Sequence, residues 1–140
     1  MKATTDLNRF IDAQAADYQR ALAEIRNGRK RTHWMWYVFP QIQGLGLSET
    51  ARFYALKDAR EAAAFLAHPV LGPRLLEIST ALLGLATGNA TTVMGSPDDL
   101  KLRSCMTLFA ALPGTPPVFQ QVLDKFYGGA RDEKTLRILG

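Results

Sequence analysis

The sequence has little of several residues that common functional sites require. Of its 140 residues, one is a cysteine, Cys105, which excludes an internal disulfide and any metal site built from several cysteines. Two are histidines, His33 and His68, too few for a histidine-rich metal site without carboxylates that no pattern identifies. We therefore predict no metal and no cofactor.

Apolar runs are also short. No segment approaches the ~20 apolar residues needed to cross a bilayer, and the N-terminal "MKATTDLNRF" lacks the apolar stretch of a signal peptide. The single cysteine fits a reducing compartment. These features together predict a cytoplasmic protein with no membrane partner.

Sequence motifs of catalysis are missing as well. The chain contains no G-x-G-x-x-G after a strand, no G-x-x-x-x-G-K-[ST], no H-E-x-x-H and no G-x-S-x-G. A nucleophilic pair of Cys105 with His33 is disfavoured, because Cys105 lies on an apolar stripe between Leu102 and Phe109, where burial makes a thiol inert. No catalytic residue is predicted, and the question of enzymatic activity stays open.

What is present is the composition of a globular protein. Apolar residues make up 47% and charged residues 21% of the chain, and its length suits one domain over residues 1–140. The net charge of +4 is mildly basic and weakly favours anionic partners. A single domain that folds by itself is expected.

The hydrophobic pattern predicts an all-α fold of about seven or eight helices in a compact, irregular array. Apolar residues recur every three to four positions, and no alternating strand pattern with hairpin turns is found. Capping residues mark several helix starts, including Ser48, Asp58 and Ser96, the last followed by Pro97 at the expected first helical position. The predicted helices cover 6–26, 34–39, two segments starting at Ser48 and Asp58, 69–87 with an irregular first turn, 96–112, 115–128 and 132–139.

The stretch "RKRTHWMWYVFPQ" combines aromatic core with polar groups. On a helix, His33, Trp36 and Tyr37 share one face, and Gln41 follows as an amide that can donate and accept hydrogen bonds. Arg29 and Lys30 precede the helix, in a run of three cations. Such a run is either solvated or binds a carboxylate or phosphate, and the sequence leaves both open.

Three further polar residues lie beside apolar stripes. Gln14 falls on the buried face of the first helix, where its amide needs a partner from the backbone, water or a ligand. Lys101 and Ser104 are three residues apart on the predicted helix that starts at Ser96, and we expect them to form part of a pocket wall. Asp98 and Asp99 in the first turn of this helix are expected to repel an anion from its end.

Several blocks of the chain resemble the DUF1810 family of small proteins. They are "DLNRF", "GRKRTHWMWYVFPQIQGLGLS", "HPVLG" and "GSPDDLKLRSCMTLF", and the resemblance runs from about Asp6 to Leu139. It implies a compact all-helical domain whose packing has been likened to armadillo-type arrays. It implies no established activity, so no catalytic residue is carried over.

The first hypothesis is a polar and aromatic pocket for a small anionic molecule, such as a phosphorylated or nucleotide-like ligand. The alternative is a protein-interaction module built on a helical array, with tryptophan and arginine as anchors. Nucleic-acid binding is disfavoured because acidic residues are interspersed among the cations. Oligomeric state is left open. The predicted ligand-binding residues are Gln14, Arg29, Lys30, His33, Trp36, Gln41, Lys101 and Ser104.

Overall fold

The computed structural model describes residues 6–140 and confirms the all-α prediction. The first five residues, which belong to the segment used to predict the absence of a signal peptide, lie outside the described range. Within 6–140 the only β-type pairing is an isolated bridge between Ile42 and Leu56. The nine helices of this range are α1 (Asn8–Arg26), α2 (Met35–Val38), α3 (Glu49–Tyr54), α4 (Ala59–Ala67), α5 (Leu71–Leu83), α6 (Ala90–Met94), α7 (Asp98–Ala110), α8 (Val118–Tyr127) and α9 (Glu133–Leu139).

The helices enclose one hydrophobic core. A row of four phenylalanine rings from four helices runs through it, with centroids 5.0 Å apart from Phe10 to Phe65, 5.7 Å from Phe65 to Phe109 and 5.5 Å from Phe109 to Phe119. These rings are all fully buried, so α1, α4, α7 and α8 are joined through a single apolar cluster. No helix within 6–140 is long and apolar enough to span a membrane.

The helix predicted from Pro69 up to Gly88 is shorter than expected, and its C-terminal end was placed wrongly. The Nδ1 atom of His68 accepts hydrogen bonds from Val70 N at 3.0 Å and Leu71 N at 3.3 Å, and this starts α5 after Pro69. The helix ends at Leu83 with Gly84 as its C-cap, and the short α6, which was not predicted, follows. The side chain of Asn89 caps α6 by accepting from Thr92 N at 3.0 Å.

The starts of the other helices are partly as predicted. Ser48 and Asp58 cap α3 and α4, accepting from Ala51 N at 3.1 Å and Glu61 N at 2.9 Å, as their positions predicted. The assignment of Ser96 as a cap is wrong. The bond from Ser96 to Pro97 is cis, Pro97 occupies the cap position, and α7 begins at Asp98 without a side-chain cap. Likewise α8 begins at Val118, three residues after the predicted start at Thr115.

Candidate anion-binding site

The turn that carries the three cations is organised by the carboxylate of Glu24. This buried side chain of α1 accepts from Arg31 N at 2.8 Å and from Thr32 N at 3.1 Å. It also accepts from the Thr32 hydroxyl at 2.7 Å and from the indole Nε1 of Trp34 at 2.9 Å. The turn between α1 and α2 is therefore fixed by a charged group beneath it.

These hydrogen bonds determine how Glu24 ionises. Burial by itself would raise the pKa of this carboxyl group, but the hydrogen bonds from Arg31, Thr32 and Trp34 outweigh burial and lower its pKa from 4.5 to about 2. Glu24 is thus ionised at neutral pH. Its carboxylate is satisfied by the hydrogen bonds from the turn and from the indole of Trp34, a residue that is completely buried.

Lys30 turns away from solvent towards α7. Its Nζ atom donates to Asp98 Oδ2 at 2.9 Å and to the carbonyl oxygen of Thr32 at 2.7 Å, and it lies 5.0 Å from the ring centroid of Trp34. Only 7% of the side chain is exposed. The backbone N–H of Lys30 also donates to Val93 O at 2.7 Å, which ties the turn to α6. Both the side chain and the backbone of Lys30 are therefore fixed by hydrogen bonds.

Lys101 approaches the same carboxylate from within α7. Its Nζ atom lies 3.7 Å from Asp98 Oδ1, too far for a hydrogen bond, and 5.6 Å from the ring centroid of Trp36. Its side chain is 29% exposed, and Trp36 is half-buried. We call this group the lysine–tryptophan cluster: Lys30, Trp34, Trp36, Asp98 and Lys101.

The cluster brings together three of the eight predicted site residues: Lys30, Trp36 and Lys101. Arg29 follows α1 directly before Lys30 and is exposed. His33 is exposed too, and its carbonyl oxygen accepts from the hydroxyl of Tyr37 at 3.2 Å. These residues lie in the same turn, but the hydrogen bonds and ion pairs do not join them to the cluster.

The remaining three predicted residues have other surroundings. Gln41 lines a small cavity with Trp36, but the cavity leaves only about 10 Å³ of free space, room for at most one water molecule. Ser104 is buried, and its hydroxyl donates to Leu100 O in the preceding turn at 3.2 Å. Gln14 donates through Nε2 to Tyr37 O at 2.7 Å and accepts from Arg74 Nη1 at 3.3 Å.

Because Gln14 is buried with these partners, it stabilises the fold directly. Replacing it in Gln14→Leu removes the donor to the buried carbonyl of Tyr37 and is expected to lower the free energy of unfolding by about 1 to 3 kcal/mol. Chemical denaturation would measure this, with the exposed Gln19→Leu on the same helix as control. If the two variants were equally stable, the amide of Gln14 would not have this structural role.

Sequence patterns missed the residue at the centre of the cluster. Asp98 was expected in the first turn of the helix, where it lies, but its pairing with two lysines was not predicted. Its spacing of three residues from Lys101 is a visible local signal. No local pattern links it to Lys30, which lies in the turn after α1. Trp34, assigned to the core, is also part of the cluster because its ring packs against the Lys30 ammonium group.

Other reactive groups lie outside the cluster. Burial raises the pKa of the Cys105 thiol well above its usual value, which makes it a poor nucleophile. Within residues 6–140 no three His, Cys, Asp or Glu side chains are grouped so as to hold a metal ion.

Comparisons with known proteins identify relatives without assigning an activity. A family model described as "Protein of unknown function (DUF1810)" matches residues 4–139. Among solved structures, the chain is similar to the conserved hypothetical protein Rv1873 from Mycobacterium tuberculosis, with 44% sequence identity, a TM-score of 0.95 and 98% of each chain covered. A search of curated proteins finds no significant match.

Proposed function

Because the chain belongs to the DUF1810 family, whose function is unknown, we propose a function from its own geometry: it binds a small anionic ligand of the phosphate type at the lysine–tryptophan cluster. The observation that carries this proposal is that two ammonium groups share one carboxylate. Lys30 and Lys101 both approach Asp98. Two positive charges thus face one negative charge, and the cluster has a net charge of about +1.

The two lysines differ in what they can offer a ligand. Lys30 is almost completely buried and already donates to Asp98 and Thr32, so it fixes the position of the carboxylate. Lys101 is 29% exposed and only loosely paired at 3.7 Å, so its N–H donors are available to an incoming anion. A phosphate oxygen accepting from Lys101 would make a charge-assisted hydrogen bond at a partly dehydrated site.

The surroundings favour an anion further. The ring of Trp36 covers one side of the Lys101 ammonium group, which reduces the competition from water for that charge. Arg29 and Arg31, both exposed, flank Lys30 in the chain and add positive potential on the same turn. Because the cavity that Trp36 lines has only about 10 Å³ of free space, we expect the ligand to bind at the surface, with an affinity that falls as salt is added.

The proposal is tested with inorganic pyrophosphate as the probe. We expect the wild-type protein to bind it in isothermal titration calorimetry and to melt at a higher temperature in its presence. Lys101→Gln, which removes the charge at similar length, should weaken binding by about tenfold or more. The control is Lys134→Gln, an exposed lysine on α9.

Three results would contradict the proposal, and the first two are no binding of pyrophosphate at low salt and equal affinity in the wild type and in Lys101→Gln. A loss of affinity in Lys134→Gln as large as that in Lys101→Gln would indicate general attraction by net charge. In that case the cluster would have no special part.

The alternative, a protein-interaction module, is favoured by a different surface. Trp34 cannot act as an anchor because it is fully buried, but α3 contains no buried residue and carries Phe53 at 59% exposure, after Leu47 at 76%. A photo-crosslinking amino acid at position 53 should then give a discrete adduct in cells, and one at position 134 should not. Without an adduct at 53, this alternative would lose its support.

A further inference from the structure

A larger concavity lies beside the first turn of α7 and outside the lysine–tryptophan cluster. It has a volume of about 530 Å³, within the range of small-molecule sites. Helices α6, α7 and α8 and the loop before α6 contribute its walls, so we call it the α6–α8 pocket. Its polar and aromatic lining residues are Thr87, Asn89, Thr91, Asp99, Phe126 and Tyr127.

The carboxylate of Asp99 is held in place at this pocket. Its Oδ2 atom accepts from the Thr91 hydroxyl at 2.6 Å, and its Oδ1 atom accepts from Leu100 N at 2.9 Å. The hydroxyl of Tyr127 donates to the backbone carbonyl of Asp99. A carboxylate has about four acceptor positions, so Asp99 can accept further hydrogen bonds without giving up these two.

Donors are available next to these acceptors. The Oδ1 atom of Asn89 caps α6, which leaves the two N–H donors of its amide without a partner among the described residues. The hydroxyl oxygens of Thr91 and Tyr127, which donate to Asp99, can still accept. The pocket therefore presents fixed acceptors and donors together, the combination that a ligand hydroxyl group satisfies on both sides.

Charge and aromatic surface narrow the class of ligand. Among the described residues that line the pocket, Asp99 is the one that carries a charge. Its negative charge would repel an anionic ligand. The half-buried ring of Tyr127 supplies apolar surface in the same wall, and Phe126, the preceding residue, is buried there. The ammonium group of Lys125 lies 5.5 Å from the ring centroid of Phe126 and already makes a cation–π contact with it. A cationic ligand would have to compete for that ring.

We propose that the α6–α8 pocket binds a neutral carbohydrate ring. Its hydroxyl groups donate to Asp99 and accept from the Asn89 amide, and its C–H face packs against the aromatic wall. This site is separate from the proposed anion site, although the two use consecutive residues of α7: Asp98 pairs with the lysines, and Asp99 lines the pocket. Each proposal can therefore fail without the other.

The test is saturation-transfer difference NMR with glucose, galactose, ribose and maltose at millimolar concentration, with choline and pyrophosphate as further probes. At least one saccharide should give a saturable signal. Asn89→Ser keeps a capping hydroxyl for α6 but removes the amide donors, and it should weaken saccharide binding by about fivefold to tenfold. Asp99→Asn should weaken it as well, and Lys134→Gln, on the exposed surface of α9, should leave it unchanged.

Three outcomes overturn the proposal. If none of the four saccharides gives a saturable signal, the pocket is not a carbohydrate site. If choline binds and no saccharide does, the pocket takes an organic cation. If saccharide binding persists unchanged in both Asn89→Ser and Asp99→Asn, with circular dichroism showing that both variants are folded, the ligand lies elsewhere on the protein.

Discussion

Gly72→Ala is expected to lower the free energy of unfolding by about 3 kcal/mol or more, because the added methyl group has no room. Gly72 is buried in the first turn of α5, where the chain passes the end of α4. A Cβ atom there would lie 2.0 Å from the carbonyl oxygen of Leu66 and 3.0 Å from its carbonyl carbon. These are backbone atoms, so no side-chain rotation can relieve the overlap.

Gly84→Ala is the matched control. Gly84 caps the other end of the same helix with a φ of −77°, and its added Cβ would meet only Ala81 O, at an ordinary 3.5 Å. This substitution should be neutral or stabilise by up to about 1 kcal/mol. Urea denaturation of both variants measures the difference. If Gly72→Ala proved as stable as Gly84→Ala, the close approach of α5 to α4 would be wrong.

The second large effect is expected for Glu24→Gln. Because the pKa of Glu24 in the folded protein, about 2, lies below its ordinary value of 4.5, the ionised carboxylate stabilises the fold above about pH 5. That contribution is lost as the pH falls towards 2. A pKa difference of this size corresponds to roughly 3 kcal/mol. The amide cannot replace it, because its NH2 group would face donors from the turn.

The measurement is the free energy of unfolding of wild type and Glu24→Gln between pH 7 and pH 2. The gap between them should be largest at pH 7 and should narrow below about pH 5. Asp12→Asn, at an exposed position on the same helix, should follow the wild-type curve closely. A constant gap across this range would mean that the destabilisation comes from altered packing and that the ionisation of Glu24 contributes nothing.

The helical class could be predicted because it depends on local patterns. Apolar residues spaced for one buried face marked α1, and the caps at Ser48 and Asp58 marked two starts. The short α6 was missed because its five residues are too few for periodicity, so that Asn89 was its only signal. Armadillo-type packing, implied by the family resemblance, stays a prediction.

The site was harder to predict because it depends on pairing between distant segments. The aromatic and polar character of the stretch around Trp36 was visible in the sequence, as was the position of Lys101 beside a core stripe. Their meeting at Asp98 was not visible, because it requires the turn after α1 to lie against the first turn of α7. A local pattern can indicate which residues carry polar or charged groups suited to binding. Tertiary packing decides which of these residues come together.

Binding of an anion at the lysine–tryptophan cluster is tested most directly by ¹H–¹⁵N NMR during titration with pyrophosphate. The protein has two tryptophans, and a Trp36→Phe variant assigns their indole N–H signals. We expect the Trp36 indole signal and the backbone amide signal of residue 101 to shift saturably in the wild type. Neither signal should shift in Lys101→Gln. The Trp34 indole, buried and bonded to Glu24, should move less. Saturable shifts confined to other parts of the protein, or identical shifts in Lys101→Gln, would contradict the account.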